Sequence, residues 1–272
     1  MNRFLPSAPL SSCIECYCFY DGGTLAPAGQ ERCLPNAQAA IIINLGHDTM
    51  RVGDRQRSGA WQAFHGGVLH GAFSQFSCID TSTMVSTISV CFKPGGMRAF
   101  LPLPAGELAN QVVELSMLWG SDTADLREQL LSATNRAAMV EILERFLLAR
   151  ASWEQVPPAA VMFALDAFQS RRKQRSITEI TDQLGLRPRR FISLFEDSVG
   201  LTPKVYCRVR RFQHALHLTE NASHVRWTEL VLDCGYFDQS HFIHDFQAFA
   251  GLTPQAYLTQ RGPHRNHIPL PE

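Results

Sequence analysis

Charge is scarce in this chain and has no net excess: 18% of its 272 residues are charged, and 25 Lys and Arg balance 25 Asp and Glu. Taken alone, a zero balance speaks against a nucleic-acid binder, whose affinity rests on cations facing phosphates. Long apolar runs are missing as well. Stretches such as residues 39–43, AAIII, fall far short of the roughly 20 residues that cross a bilayer, and the N-terminal MNRFLPSAP has no apolar signal-peptide region. The expectation is a cytoplasmic protein with no membrane contact. The sequence has no His-x-His pair of the kind that opens many cupin metal sites, no Pro-Cys-His acceptor sequence, no Ser/His/Asp constellation and no Gly-rich phosphate loop. No catalytic residue is therefore nominated, no cofactor is expected, and the chain is not read as an enzyme. Extended polar tracts are also lacking, and 45% hydrophobic residues are enough to bury a full core.

Eight cysteines remain to be explained. Without an export signal they are expected to be reduced thiols. Cys13, Cys16 and Cys18 cluster in sequence, and Cys13-x-x-Cys16 has a spacing shared by zinc and redox sites. No second Cys/His pair with matching spacing follows, and CIECYCFY has the composition of a buried strand, so packed core thiols and no metal are expected. Histidines 47, 65 and 70 do not suggest a metal site either. His65 and His70, five positions apart, would point to opposite faces of a single strand.

The charge is placed unevenly. Residues 1–158 hold 11 Lys/Arg against 14 Asp/Glu, a net −3, whereas residues 159–262 hold 13 against 10, a net +3. Within the basic part, Arg171, Arg172, Lys173 and Arg175 form one group, Arg187, Arg189 and Arg190 a second, and Arg208, Arg210 and Arg211 a third. Clusters of this kind are candidate phosphate contacts.

The same part of the chain contains an internal repeat. Residues 178–206 and 227–257 share Thr-Glu, then Gly, then Phe-Ile-x-x-Phe-x4-Gly-Leu-Thr-Pro-x2-Tyr. The offset is 50 residues at Thr178/Thr228 and Gly185/Gly235, and 51 from Phe191/Phe242 to Tyr206/Tyr257, so the copies differ by one residue in the turn. One supersecondary unit used twice is implied. Each copy reads as helix, Gly-containing turn, helix, the pattern of a helix-turn-helix. Ser176-x-x-Glu179 reads as a capping box, and Thr202-Pro203 and Thr253-Pro254 as N-caps followed by Pro at the first helical position. Phe191, Leu194, Phe195 and Val199, and likewise Phe242, Phe246 and Ala250, mark an inward face. Val205, Val209, Phe212 and Leu216 give the intervening helix an apolar face for both units to pack on.

The first half reads as mainly β. Strands are expected over residues 13–20 and 39–45, with a return strand from Met50, and apolar or alternating stretches over 61–69 and 84–92 suggest a small antiparallel barrel or sandwich. From about residue 106 to 150 the pattern is helical, starting at Glu107, Leu108, Val112 and Val113. Pro157-Pro158 then gives the expected boundary, dividing the chain into residues 1–156, residues 159–262 and a tail at 263–272. Trp61, Phe64, Phe73 and Phe76 are candidates for lining a sensor pocket.

The repeat, and above all Cys234-Gly235-Tyr236-Phe237-Asp238-Gln239-Ser240-His241-Phe242 and Gly251-Leu252-Thr253-Pro254-x-x-Tyr257, resembles the AraC/XylS family of bacterial transcription regulators. Glu15-Cys16-Tyr17, Ile43-Asn44-Leu45-Gly46, Phe92-Lys93-Pro94-Gly95-Gly96 and Leu143-Glu144-Arg145-Phe146-Leu147 are similar to a subgroup of that family with a cupin-like N-terminal domain. The resemblance implies a two-domain α+β protein. Its N-terminal barrel with helical extension would sense or dimerise, and two helix-turn-helix units joined by a long helix would bind DNA. Carried over by position, the family's base-facing sites fall on Arg189, Ile192 and Ser193, with Arg187 and Arg190 alongside as DNA-binding candidates, and on Gln239, Ser240, Ile243 and His244, with His241 alongside. Family members often have Arg where Ser193 and His244 stand, and Ser where Arg187 stands, so this chain offers fewer long cations at the base edges. The implied partners are double-stranded DNA and RNA polymerase, with a small-molecule effector and a second copy of the chain as further candidates. The competing reading is a DNA-delivered enzyme, or a cysteine-based repair or redox sensor, built on Cys13, Cys16 and Cys18.

Overall fold

The computed structural model describes residues 2–22, 29–53, 60–169, 175–220 and 225–270. Its β-rich first half contributes strands β1 (Asn2–Phe4), β2 (Ile14–Asp21), β3 (Gln30–Cys33), β4 (Ala40–Asn44), β5 (Thr49–Gly53), β6 (Trp61–His65), β7 (Gly67–His70), β8 (Ser77–Asp80), β9 (Ser86–Phe92) and β10 (Val112–Glu114). Three helices follow: α1 (Leu115–Trp119), α2 (Asp122–Ser132) and α3 (Arg136–Leu148). The remainder is helical, with α4 (Ala159–Gln169), α5 (Ile177–Leu184), α6 (Pro188–Val199), α7 (Pro203–Thr219), α8 (Trp227–Asp233), α9 (Gln239–Ala250) and α10 (Pro254–Gln260), and ends in a short strand, β11 (His267–Pro269). Among the described residues, no helix is long and apolar enough to cross a membrane.

The strands form two antiparallel sheets, ordered β1-β2-β9-β4-β7-β10 and β11-β3-β8-β5-β6. No described ladder joins them, so the expected barrel is realised as two open sheets. One face of the six-stranded sheet carries Tyr17, Phe19, Ile41, Ile43, Ile88, Val90 and Phe92, which share a core with Leu126 and Leu130 of α2 and Leu143 and Leu147 of α3. On its other face, Ile42 and Val68 pack against Met50 of β5 and Phe64 of β6. That second face is therefore the inner one, turned toward the five-stranded sheet.

Several expectations are corrected by pairing that sequence periodicity does not report. The strand beginning near Met50 does not return along β4. It enters the other sheet, between β6 and β8, while β4 pairs with β7 and β9. The stretch 61–69 is not one strand, because Gly66 (φ 66°) turns the chain from β6 in one sheet to β7 in the other. The helical region does not begin near residue 106. A 3-10 turn at Ala105–Leu108 leads into β10, which pairs with β7, and the first α-helix starts at Leu115. Val112 and Val113 are β-branched, and an open sheet edge was available to them.

The two halves are in contact. The core of the helical region, built on Phe191, Phe195, Phe212, Phe242 and Phe246, also takes in Leu34, Ala37 and Ala72 from the β-rich part and Ile268 from β11. Strand β11 pairs with β3, so the chain's end lies on the five-stranded sheet. Gln213 of α7 donates to the Pro35 carbonyl at 2.7 Å and to Asn266 Oδ1 at 2.9 Å, and Arg32 Nη1 donates to the Ala250 carbonyl at 2.9 Å.

Candidate nucleic-acid interface

Helices α5 and α6 form the first helix-turn-helix unit and α8 and α9 the second, with α7 between them. Their ends are set by local chemistry. Ser176 Oγ accepts from the Glu179 amide at 3.1 Å, and the Ser176 amide donates to Glu179 Oε2 at 2.6 Å, so both halves of the capping box are made. Thr202 and Thr253 each accept from the amide three residues on, with Pro at the first helical position, as their sequence implies. In the turns, Gly185 (φ 64°) and Gly235 (φ 73°) adopt the left-handed conformation that glycine reaches without strain. The inward residues are as the periodicity predicts: Phe191, Phe195, Phe242, Phe246, Val209, Phe212 and Leu216 are all buried. Val205 and Leu194 are half-buried at the edge of the same core.

On the outer side of α6 and the turn before it, Arg187, Arg189, Arg190 and Ser193 are exposed, and Ile192 is half-buried. Ser193 Oγ donates to Asp197 Oδ2 at 3.4 Å. On α9, Asp238 caps the helix by accepting from the His241 amide at 2.7 Å, leaving Gln239, Ser240 and His244 exposed around the first turns. His241 and Ile243 are partly withdrawn. The His241 ring lies edge-on to Tyr236, with centroids 5.3 Å apart, and Ile243 packs against the helical core. Of the basic groups noted in sequence, Arg171, Arg172 and Lys173 lie outside the described residues.

What sequence reasoning missed is the acid that holds the second unit to the connecting helix. Asp245 lies on α9 between the core residues Phe242 and Phe246, with 2% of its side chain exposed. Arg208 of α7 donates to it in a fork, Nε at 3.1 Å and Nη2 at 2.6 Å to Oδ1, with Nε also 3.3 Å from Oδ2. Arg211 Nη2 and His241 Nε2 approach the same carboxylate at 4.0 and 3.8 Å. Two cations of the cluster noted in sequence are thus turned inward to orient a helix. The available signal was an acid within an otherwise aromatic face, opposite arginines spaced i, i+3 on the preceding helix.

Lys204, Arg208, Arg211 and His214 run along one side of α7, opposite its apolar face. With His241 and His244 of α9 they line a groove of ≈ 1090 Å³. Glu15, Asn36 and Gln38 of the β-rich part line it as well, as do Asp233 and Asp245. With Arg208 and Arg211 committed to Asp245, the exposed cations of α7 are Lys204 and Arg210, which with Arg187, Arg189 and Arg190 before and on α6 suit a polyanion.

Residues 180–260 match the model of a family described as "Helix-turn-helix domain", and residues 2–114 match one described as "Domain of unknown function (DUF6597)". The chain is 29% identical over 107 residues to the XylDLEGF operon transcriptional activator 1 of Pseudomonas putida, and 30% identical over 103 residues to activator 3 of that operon. The helical part of the chain thus carries a helix-turn-helix domain and resembles regulators of the AraC/XylS type. The aligned parts are 37% and 35% of this chain and 32% and 31% of those proteins, so the chain spans about a third of the length of the curated relatives it matches. In fold, the chain is similar to ToxT from Vibrio cholerae, with a TM-score of 0.50 at 12% identity over 89% of this chain and 97% of that one.

The residues nominated for a sensor pocket are dispersed. Phe64 packs with Met50 and Val68 between the sheets, Phe73 stacks on His70 at 3.9 Å, and Phe76 lies against the helical core under the Arg32 guanidinium at 4.5 Å. The three histidines are apart as well. His65 Nδ1 meets Asp48 at 3.3 Å, His70 Nδ1 lies 3.1 Å from the Gly71 carbonyl, and the His47 amide donates to Asn44.

Proposed function

We propose that this protein is a sequence-specific DNA-binding transcription regulator. Residues 159–262 would place two recognition helices in successive major grooves, and residues 1–156 would receive the signal. The carrying observation is the pair of capped helix-turn-helix units sharing one connecting helix, an arrangement that offers one recognition helix to each of two successive major grooves. In the first unit Arg187, Arg189 and Arg190 are free to meet phosphates or guanine edges, with Ile192 and Ser193 beside them. In the second, Gln239 is the adenine reader by its amide geometry, while Ser240, His241, Ile243 and His244 line the same end of the helix. Lys204 and Arg210, exposed on α7, add phosphate contacts between the two helices. Double-stranded DNA is the first partner. RNA polymerase, a small-molecule effector and a second copy of the chain are the further partners of this reading, and its setting is the cytoplasm.

The test is selection of randomised duplexes by the full-length protein across a salt series, comparing wild type with Gln239→Ala. Wild type should enrich one motif and lose affinity steeply with salt. The variant should relax preference at one base pair, losing about 1–3 kcal/mol on the best site with the salt slope unchanged, since no charge is removed. A protein that enriches no motif refutes the function. A Gln239→Ala protein that weakens all sequences alike and keeps the motif removes Gln239 from base reading.

A further inference from the structure

The thiols that meet in space are not the trio that clusters in sequence. Cys13 lies in the core shared by β2 and the helices, but Cys16 and Cys18 sit two residues apart on β2 and point to one side of the sheet. Cys91 of β9 stands directly opposite Cys16 in the antiparallel register. The three sulfurs lie within 4.8 Å of one another, with Cys16 Sγ and Cys18 Sγ 3.5 Å apart. Among the described residues this is the only group of three or more metal-capable side chains. The row Cys18, Ser89, Ile42, Val68 runs across β2, β9, β4 and β7 on the side that packs against β5 and β6, which puts the thiols on the inner face.

We infer that Cys16, Cys18 and Cys91 form a trithiolate site for one soft, thiophilic metal ion inside the β-rich half of the protein. Sulfur is the donor that selects soft ions, and among the described residues no His, Asp or Glu joins the cluster. A metal–sulfur bond of about 2.3 Å in tetrahedral or trigonal geometry sets sulfurs roughly 4 Å apart, so the present spacing needs only small side-chain adjustments. Three thiolates and a divalent cation leave one negative charge, and the nearby guanidinium of Arg3, next to Cys18 in the register of β1 and β2, is shared with Glu15 at 2.7 Å. Binding would release the thiol protons and tie β2 to β9, two strands adjacent to each other but distant in sequence. The sequence suggested no metal because two of the ligands come from one strand and the third from another, a pairing that spacing rules for a single loop do not cover.

The experiment is a Cd²⁺ titration of the reduced, full-length protein, followed by thiolate-to-cadmium charge-transfer absorption. Wild type should saturate at one equivalent, and its melting temperature should rise with bound ion. Cys16→Ser and Cys91→Ser should each weaken binding by at least about tenfold. Cys13→Ser should bind as wild type does. ¹¹³Cd NMR of the wild-type protein gives a readout independent of how the variants fold, and it should show a single resonance in the range of sulfur-only coordination. The inference is overturned if no saturable band forms, if the resonance reports mainly oxygen ligands, if both cysteine variants titrate like wild type, or if Cys13→Ser loses the band as they do.

Discussion

Asp245→Ala tests whether the second helix-turn-helix unit is held in place by its buried ion pair or by aromatic packing alone. The substitution removes a carboxylate that is 2% exposed and receives the Arg208 fork at 2.6–3.3 Å. Breaking a buried pair costs about 3–5 kcal/mol when the surviving charge stays buried. Here Arg208 keeps 30% and Arg211 23% of the side chain exposed. Both can partly rehydrate, so the expected loss is about 2–4 kcal/mol. Asp245→Asn keeps the shape and one acceptor, and should lose about half as much. Arg208→Ala leaves the acid with Arg211 at 4.0 Å as its nearest arginine, and the two alanine substitutions should couple by about 1–3 kcal/mol in a double-mutant cycle. Urea unfolding followed by far-ultraviolet circular dichroism gives these values. DNA affinity measured in the same buffer should fall with Asp245→Ala even at temperatures where the variant is folded, because α9 is no longer oriented by α7. An Asp245→Ala protein within about 0.5 kcal/mol of wild type, or a cycle without coupling, would refute the reasoning.

Two further outcomes follow from the core and from the chain's end. Phe246 is 1% exposed and meets Phe212, Phe242 and Tyr257 with ring centroids 5.1–5.6 Å apart, so Phe246→Ala should cost about 3–5 kcal/mol in the same unfolding assay; an unchanged midpoint would mean the inward face of α9 is assigned wrongly. His267 on β11 faces Glu31 of β3, with Nδ1 2.7 Å from Oε2. Burial pulls its pKa down, but Cys33 and Glu31 outweigh burial and raise it from 6.5 to about 10. A raised histidine stabilises fully below its unfolded value, so the hold of β11 on β3 should be complete below about pH 6.5 and weaken progressively as pH approaches about 10. Unfolding midpoints of wild type should fall over that window, and those of His267→Gln should not; parallel pH profiles would remove His267 from the latch.

Sequence by itself determined the parts whose physics is local. A capping box needs only Ser176 and Glu179, a left-handed turn needs only Gly185 or Gly235, and a helix face is settled by residues three and four apart. Those rules, together with a repeat, were enough to place both helix-turn-helix units, their caps and their buried phenylalanines. Partner choice between distant segments obeys no such short-range rule. Strand β5 has the pattern of a partner for β4 yet joins the other sheet, and Val112–Glu114 carries a helical-looking pattern yet completes a sheet edge, because an open row of backbone donors and acceptors outweighs weak local preference. The same applies to the chemistry. Asp245 finds Arg208 only once α9 crosses α7, and Cys91 stands beside Cys16 only because β2 and β9 pair in one register rather than a register shifted by one residue, which would turn the thiol to the opposite face.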